Sequence, residues 1–186
     1  LTSQIGKVNT FFPGSGADFP LIMNGSIMAD HIFTLGYQAL SLNIFIARLK
    51  EVGVETVIDV RANPLSRKRG FSKSALSTAL ANAGIAYAHV PAMGCPKPVR
   101  ERYKRDGDWT AYTRGFLAYL KNQAEVLADL TKGAKASTSC LICFEADFDR
   151  CHRTFVARAA ADIGRLSITH LTDRKEIPDS IVWSAP

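Results

Sequence analysis

No stretch of the 186-residue sequence approaches the ~20 consecutive apolar residues that a membrane-spanning helix needs. The first residues also lack the charged-then-apolar layout of a signal peptide, so secretion and membrane insertion are poor readings. Cysteine is scarce. Four in a chain of this length are too few for a disulfide scaffold, and a reduced, cytoplasmic protein is expected. Acids are outnumbered, 17 against 23 Lys and Arg, for a net charge of +6. That favours anionic partners, although charge alone does not separate nucleic acid from nucleotide or phosphate. Apolar material is plentiful: 47% hydrophobic against 22% charged residues is enough for the core of one domain.

The positive charge is concentrated. Arg61–Lys73 holds five cations (Arg61, Arg67, Lys68, Arg69, Lys73) and no acid. Lys97–Asp106 holds five more against Glu101 and Asp106. Both segments read as loops.

Residues 1–27 carry only Lys7 and Asp18 as charges and are broken by glycine and proline. They read as an extension outside the core fold, with Met28 as the natural start. From Met28 to about Thr172, short β-rich runs alternate with helical periods. Strands are expected at His31–Gly36, Val54–Val60, Ile85–Val90, Ser139–Phe144 and Leu166–Leu171. The run Ser139–Phe144 is continuously apolar, the mark of a strand buried on both faces. Ser41 and Ser72 are placed to cap helices, Phe71 and Leu76 to staple the second of them. Asp108 is placed to cap one long helix through Leu130. Asp147 or Asp149 is placed to cap a last helix, with Phe155, Val156, Ala159 and Ile163 inward. Residues 173–186 read as a tail or edge element. The alternation predicts a single three-layer α/β domain, with a mainly parallel sheet of about five strands and helices on both faces.

Ligands of such sheets sit outside the carboxyl ends of the strands. That rule selects Tyr37 and Gln38, Asp59 and Arg61, His89, and the cluster from Cys143 to Arg153. Tyr37, Asp59, Arg61, His89, Glu145 and His152 are therefore expected to line one cleft. Asp59 and Arg61 are two apart and share a strand face. Asn63 and Arg67 continue into a loop whose donors, beside a helix N-terminus, suit a phosphate or carboxylate. Individually, Lys68 and Arg69 read as solvated surface. Glu145 follows an apolar strand, where an unpaired carboxylate is expensive to bury, so it has a partner or a chemical task. Cys151 and His152 fall in the first turn of the next helix, where free N–H groups lower a thiol pKa. The cluster reads as a catalytic set of Glu145 and Asp59 in acid–base or nucleophilic roles, Cys151 as a nucleophile and His152 beside it, with Arg153 as a charge clamp. A packed structural histidine explains His152 equally well, and a small core residue explains Cys143 better.

Cys140 and Cys143 have CxxC spacing, but residues three apart on a strand face opposite sides. Cys143, Glu145, Cys151 and His152 can converge on a metal only across the strand–helix turn, and their spacing matches no ligand template. No metal and no cofactor is therefore expected. Walker A, HExxH and GxSxG patterns are absent.

Several motifs recur in order: Thr34-Leu35-Gly36-Tyr37, Asp59-Val60-Arg61-Ala62-Asn63-Pro64, Gly70-Phe71-Ser72-Lys73, His89-Val90-Pro91, Gly107-Asp108-Trp109, and Leu141-Ile142-Cys143-Phe144-Glu145 with Cys151-His152-Arg153. Through them, from about Ile32 to Leu171, the chain resembles the family called domain of unknown function 488. The resemblance implies a compact α/β domain and assigns no activity. Relatives with the Gly-Tyr motif usually continue with an acid, where this chain has Gln38; if that acid is catalytic in them, this chain is impaired or only binds ligand.

Three functions remain open. One is a hydrolase or transferase acting on a phosphate-bearing, nucleotide or nucleic-acid anion, held by Arg61, Asn63, Arg67, Arg153, Tyr37, Gln38 and His89. Another is a nucleic-acid-binding module using the basic segments with Trp109, Tyr103 and Phe71 as stacking surfaces. The third is a thiol enzyme using Cys151.

Overall fold

The computed structural model describes residues 30–180; the expected extension at 1–27 and the start at Met28 lie outside the described residues. The order of elements is β1 (His31–Gly36), α1 (Leu42–Glu51), β2 (Thr56–Asp59), α2 (Lys73–Asn82), β3 (Ala86–His89), a 3-10 turn (Pro91–Met93), α3 (Lys97–Asp106), α4 (Trp109–Lys121), α5 (Ala124–Ala136), β4 (Ser139–Cys143), α6 (His152–Gly164), β5 (Ser167–Leu171) and β6 (Glu176–Pro178). The fold is α/β: six helices and a six-stranded sheet of order β3-β2-β4-β1-β5-β6. Every strand pair is parallel except β5–β6.

The two sheet faces bury separate cores. On one, Phe45 and Leu49 of α1 and Leu76 and Leu80 of α2 pack with Leu35, Val57 and Ile142. On the other, Phe116, Leu130 and Val156 from α4, α5 and α6 pack with Ile32, Ile58 and Leu141. Strand β4 alternates between these cores and is buried along its whole length, which explains its unbroken apolar run.

Several boundaries differ from the sequence expectation. The second basic segment is not a loop but helix α3, opened by Pro96 at the N-cap and Pro98 in the first turn and closed by Gly107 at φ +66°. The long helix expected from Asp108 is two helices. Asn122 bonds back to the Ala118 carbonyl (3.2 Å) and its own N–H to Tyr119, which ends α4 before α5 begins. Ser41 and Asp108 cap as expected, accepting from the Ile44 and Ala111 amides. Ser72 holds the N-cap position of α2 without a side-chain cap bond. Cys151, not an aspartate, is the N-cap residue of α6; Asp147 instead turns back onto the Asp149 amide. The buried face of α6 runs through Phe155, Val156, Ala157 and Ala160, leaving Ile163 53% exposed. The edge element beyond Thr172 is β6, tied to α6 by Arg158 and Asp179 at 2.7 Å. No described helix is long and apolar enough to cross a membrane.

Candidate functional site

The chain leaves β1 for β2 and β3 over α1 and α2, and leaves β4 for β5 over α6 on the opposite face. The carboxyl ends of β2, β4 and β1 therefore border a crevice at the topological switch point. Register levels them: Gly36 stands opposite Cys143, and Asp59 opposite Ile142. Two close backbone approaches shape the rim. A Cβ on Gly36 would lie 1.7 Å from the Glu145 carbonyl oxygen, and one on Gly94 would lie 2.2 Å from the Ala62 nitrogen. Glycine is the residue that admits both.

Asp59 is fully buried, and its carboxylate is occupied. It accepts from Arg61 Nε (2.8 Å), Arg61 Nη2 (2.5 Å), the Arg61 amide (3.1 Å) and the Tyr87 hydroxyl (2.7 Å). Arg61 Nη1 donates to the Tyr37 hydroxyl (2.6 Å) and the Phe71 carbonyl (2.8 Å). Burial works against the guanidinium charge, but the Asp59 carboxylate more than restores it and raises the Arg61 pKa. Burial, with the neighbouring carboxylate, likewise raises that of Tyr87. The Asp59–Arg61 pair is thus a closed unit that fixes the strand end.

Above it lies a cleft of about 650 Å³. Of the residues singled out in the sequence, Tyr37, Arg61, Asn63, Arg67, Glu145, Cys151 and His152 line it. Asp59, His89, Gln38 and Arg153 do not. His89 Nε2 bonds to the Arg61 carbonyl at 2.9 Å, behind the cleft. Gln38 accepts from the Ala146 amide at 3.2 Å and clamps the β4–α6 loop, an acceptor role that an acid at this position would equally fill. Arg153 is fully buried and donates to the Glu145 (2.5 Å) and Ala146 (3.2 Å) carbonyls, so it holds the loop from beneath. Phe71 is fully buried and stacked on Tyr37, which removes it as a stacking surface for a ligand.

The sequence reading missed part of the wall. Lys68, Arg100, Lys104 and Arg150 also line the cleft. A signal was present: in α3, Lys97 pairs with Glu101 and Arg102 with Asp106, whereas Arg100, Tyr103 and Lys104, at the i, i+3, i+4 spacing of neighbours on a helix, line the cleft. Arg67, Lys68, Arg100, Lys104 and Arg150 have no carboxylate within ion-pair distance among the described residues. Tyr103, Trp109 and Tyr112 form an aromatic bank, with Arg150 over the Trp109 ring at 5.5 Å.

Chemistry sits on the floor. Strand β4 ends at Cys143, and Glu145 projects from the following loop as an exposed side chain, so the expected burial of its carboxylate is not found. Partial desolvation and the neighbouring Cys151 charge raise its pKa. Cys143, Cys151 and His152 are buried, and their donor atoms all lie within 4.8 Å of one another. His152 Nε2 meets the Val60 carbonyl at 3.0 Å, and Nδ1 faces Cys143 Sγ at 3.8 Å. Burial opposes a thiolate at Cys151, but the hydrogen bond from Cys143, the Arg153 charge and the His152 ring hold its pKa well below the ordinary thiol value. Cys143, as the donor to that sulfur and a buried group, is pushed well above it. Cys143, read as a core residue, thus belongs to the cluster, and all four cysteines are free.

Fold and cleft together define a doubly wound α/β protein with polar and thiol groups gathered at the switch point of a parallel sheet. Within that class the chain belongs to the family described as Domain of unknown function DUF488, whose model matches residues 41–160. The match takes in the whole cleft except Tyr37. No curated protein and no solved structure matches the chain.

Proposed function

We propose that this protein is a cytoplasmic enzyme that hydrolyses, or transfers a group from, a phosphate-bearing anion of the nucleotide or nucleic-acid class. The observation that carries this reading is the convergence of unpaired cations from both basic segments and Arg150 over a floor of carboxylate, thiol and imidazole. Arg67, Lys68, Arg100 and Lys104 supply the anion's counter-charge. Tyr103 and the Arg150–Trp109 stack offer flat faces to a base, and Glu145 is the proton carrier beside the reacting atoms.

Thermal unfolding at constant ionic strength tests it. Inorganic phosphate and nucleoside phosphates raise the melting temperature, the second more strongly, since a ligand at a hundredfold its Kd adds about 2.7 kcal/mol. Tyr103→Ala erodes the nucleotide's advantage by about 1–3 kcal/mol. No shift with any of these anions refutes the proposal. A module that binds by phosphate contacts alone would lose affinity steeply with salt and show no turnover. A second reading, Cys151 as covalent nucleophile, is favoured by its place in the cleft wall beside the His152 imidazole and requires that it be alkylated faster than the other cysteines.

A further inference from the structure

We infer that Cys143, Cys151 and His152 bind a single Zn²⁺ or similar borderline-soft divalent cation, with the fourth coordination position open to the cleft. The spacing in sequence gave no such indication, because one donor ends a strand and two open a helix. Folding of the β4–α6 loop brings all three donor atoms within 4.8 Å. Tetrahedral zinc, with bonds of about 2.3 Å to sulfur and about 2.0–2.1 Å to nitrogen, sets its donors roughly 3.5–3.8 Å apart. The Cys143 Sγ–His152 Nδ1 separation of 3.8 Å lies within a few tenths of an ångström of the roughly 3.5 Å that such bonds set between sulfur and nitrogen.

The imidazole is also oriented for the task. A carbonyl oxygen only accepts, so Nε2 carries the proton donated to Val60, 92 residues away in sequence. In the neutral ring this leaves the Nδ1 lone pair aimed at the sulfurs. Metal-binding histidines are commonly fixed in this manner by a hydrogen bond from the other ring nitrogen. Charge is consistent as well: two thiolates and one dication are neutral, so the site adds no net charge beside buried Arg153. All three ligands line the cleft, whereas two Cys and one His fill only three positions of four.

This deepens the reading of the cleft as a substrate site and rests on it for the role of the open position. A cation there supplies a bound water as nucleophile for hydrolysis. The water oxygen forms a bond to the electrophilic atom, the bond to the leaving group breaks, and the water's proton passes through Glu145 to the leaving group. Nothing is oxidised or reduced.

The test is Co²⁺ titration of the reduced, metal-free full chain. The expected result is one equivalent bound, with near-ultraviolet charge-transfer absorption from two thiolates, visible bands of a four-coordinate site, and displacement by Zn²⁺. Cys143→Ser and Cys151→Ser each remove about half of the thiolate absorption, and Cys95→Ser leaves it unchanged. Azide shifts the visible bands by entering the open position. Absence of thiolate–cobalt absorption in the wild type overturns the site without recourse to variants that fail to fold. Loss in Cys95→Ser, or indifference to azide, overturns the open fourth position. Anion-induced thermal shifts, measured on the metal-free protein, stand apart from this readout. If they persist without cobalt binding, only the metal inference fails. Cobalt binding without them supports the metal and overturns the cleft reading.

Discussion

Arg61 and Arg153 are both buried at the carboxyl end of the sheet, and they are held in opposite ways. Arg61 is closed onto the Asp59 carboxylate through two side-chain bonds, with Tyr37 and Phe71 taking further protons. Arg153 meets only the Glu145 and Ala146 carbonyls; its Nε has no hydrogen-bond partner, and no carboxylate lies within ion-pair distance among the described residues. The first arginine spends its charge inside the scaffold. The second keeps its charge for the sulfur above it, where it helps hold Cys151 as a thiolate. A buried cation therefore identifies a site only when the structure leaves its charge unmatched.

The comparison breaks most visibly at Asp59. Asp59→Asn strands a buried guanidinium and should cost about 3–5 kcal/mol in denaturant unfolding. Arg153→Met should cost less, about 1–3 kcal/mol, because it leaves two carbonyls unmet but no carboxylate behind, and the Cys151 sulfur whose charge it favours can take up a proton. A loss as large as that of Asp59→Asn would show that Arg153 has a carboxylate partner after all. Tyr87→Phe removes one bond to the Asp59 carboxylate and should cost about 1.5 kcal/mol. Glu145→Gln should change stability by no more than about 0.5 kcal/mol, as expected of an exposed side chain with no ion pair, while abolishing turnover of any substrate found. A strongly destabilised Glu145→Gln would make that carboxylate the missing partner of Arg153 and return it to a structural role.

Much of the scaffold was legible in the chain because local pattern encodes it. The period of α1, its Ser41 cap, the Asp108 cap and the unbroken apolar run of β4 each announce an element without reference to the rest. Helix α3 was misread because two prolines and a dense run of charges look like a loop, although its i,i+4 ion pairs have helical spacing. The break at Asn122 was hidden because the apolar period continues across it.

By itself the sequence determined the α/β class, the strand ends and the residue types gathered there. These follow from periodicity and from the rule that parallel sheets present their chemistry at carboxyl edges. Tertiary structure alone decided which of those residues face the cleft. It turned His89 and Arg153 inward as supports, left Glu145 exposed, and brought Cys143 of β4 to the two residues that open α6. The reason is that local pattern assigns a side chain to a face. Its partner across many residues is fixed by strand register and by the path of the β4–α6 loop, which no local period records.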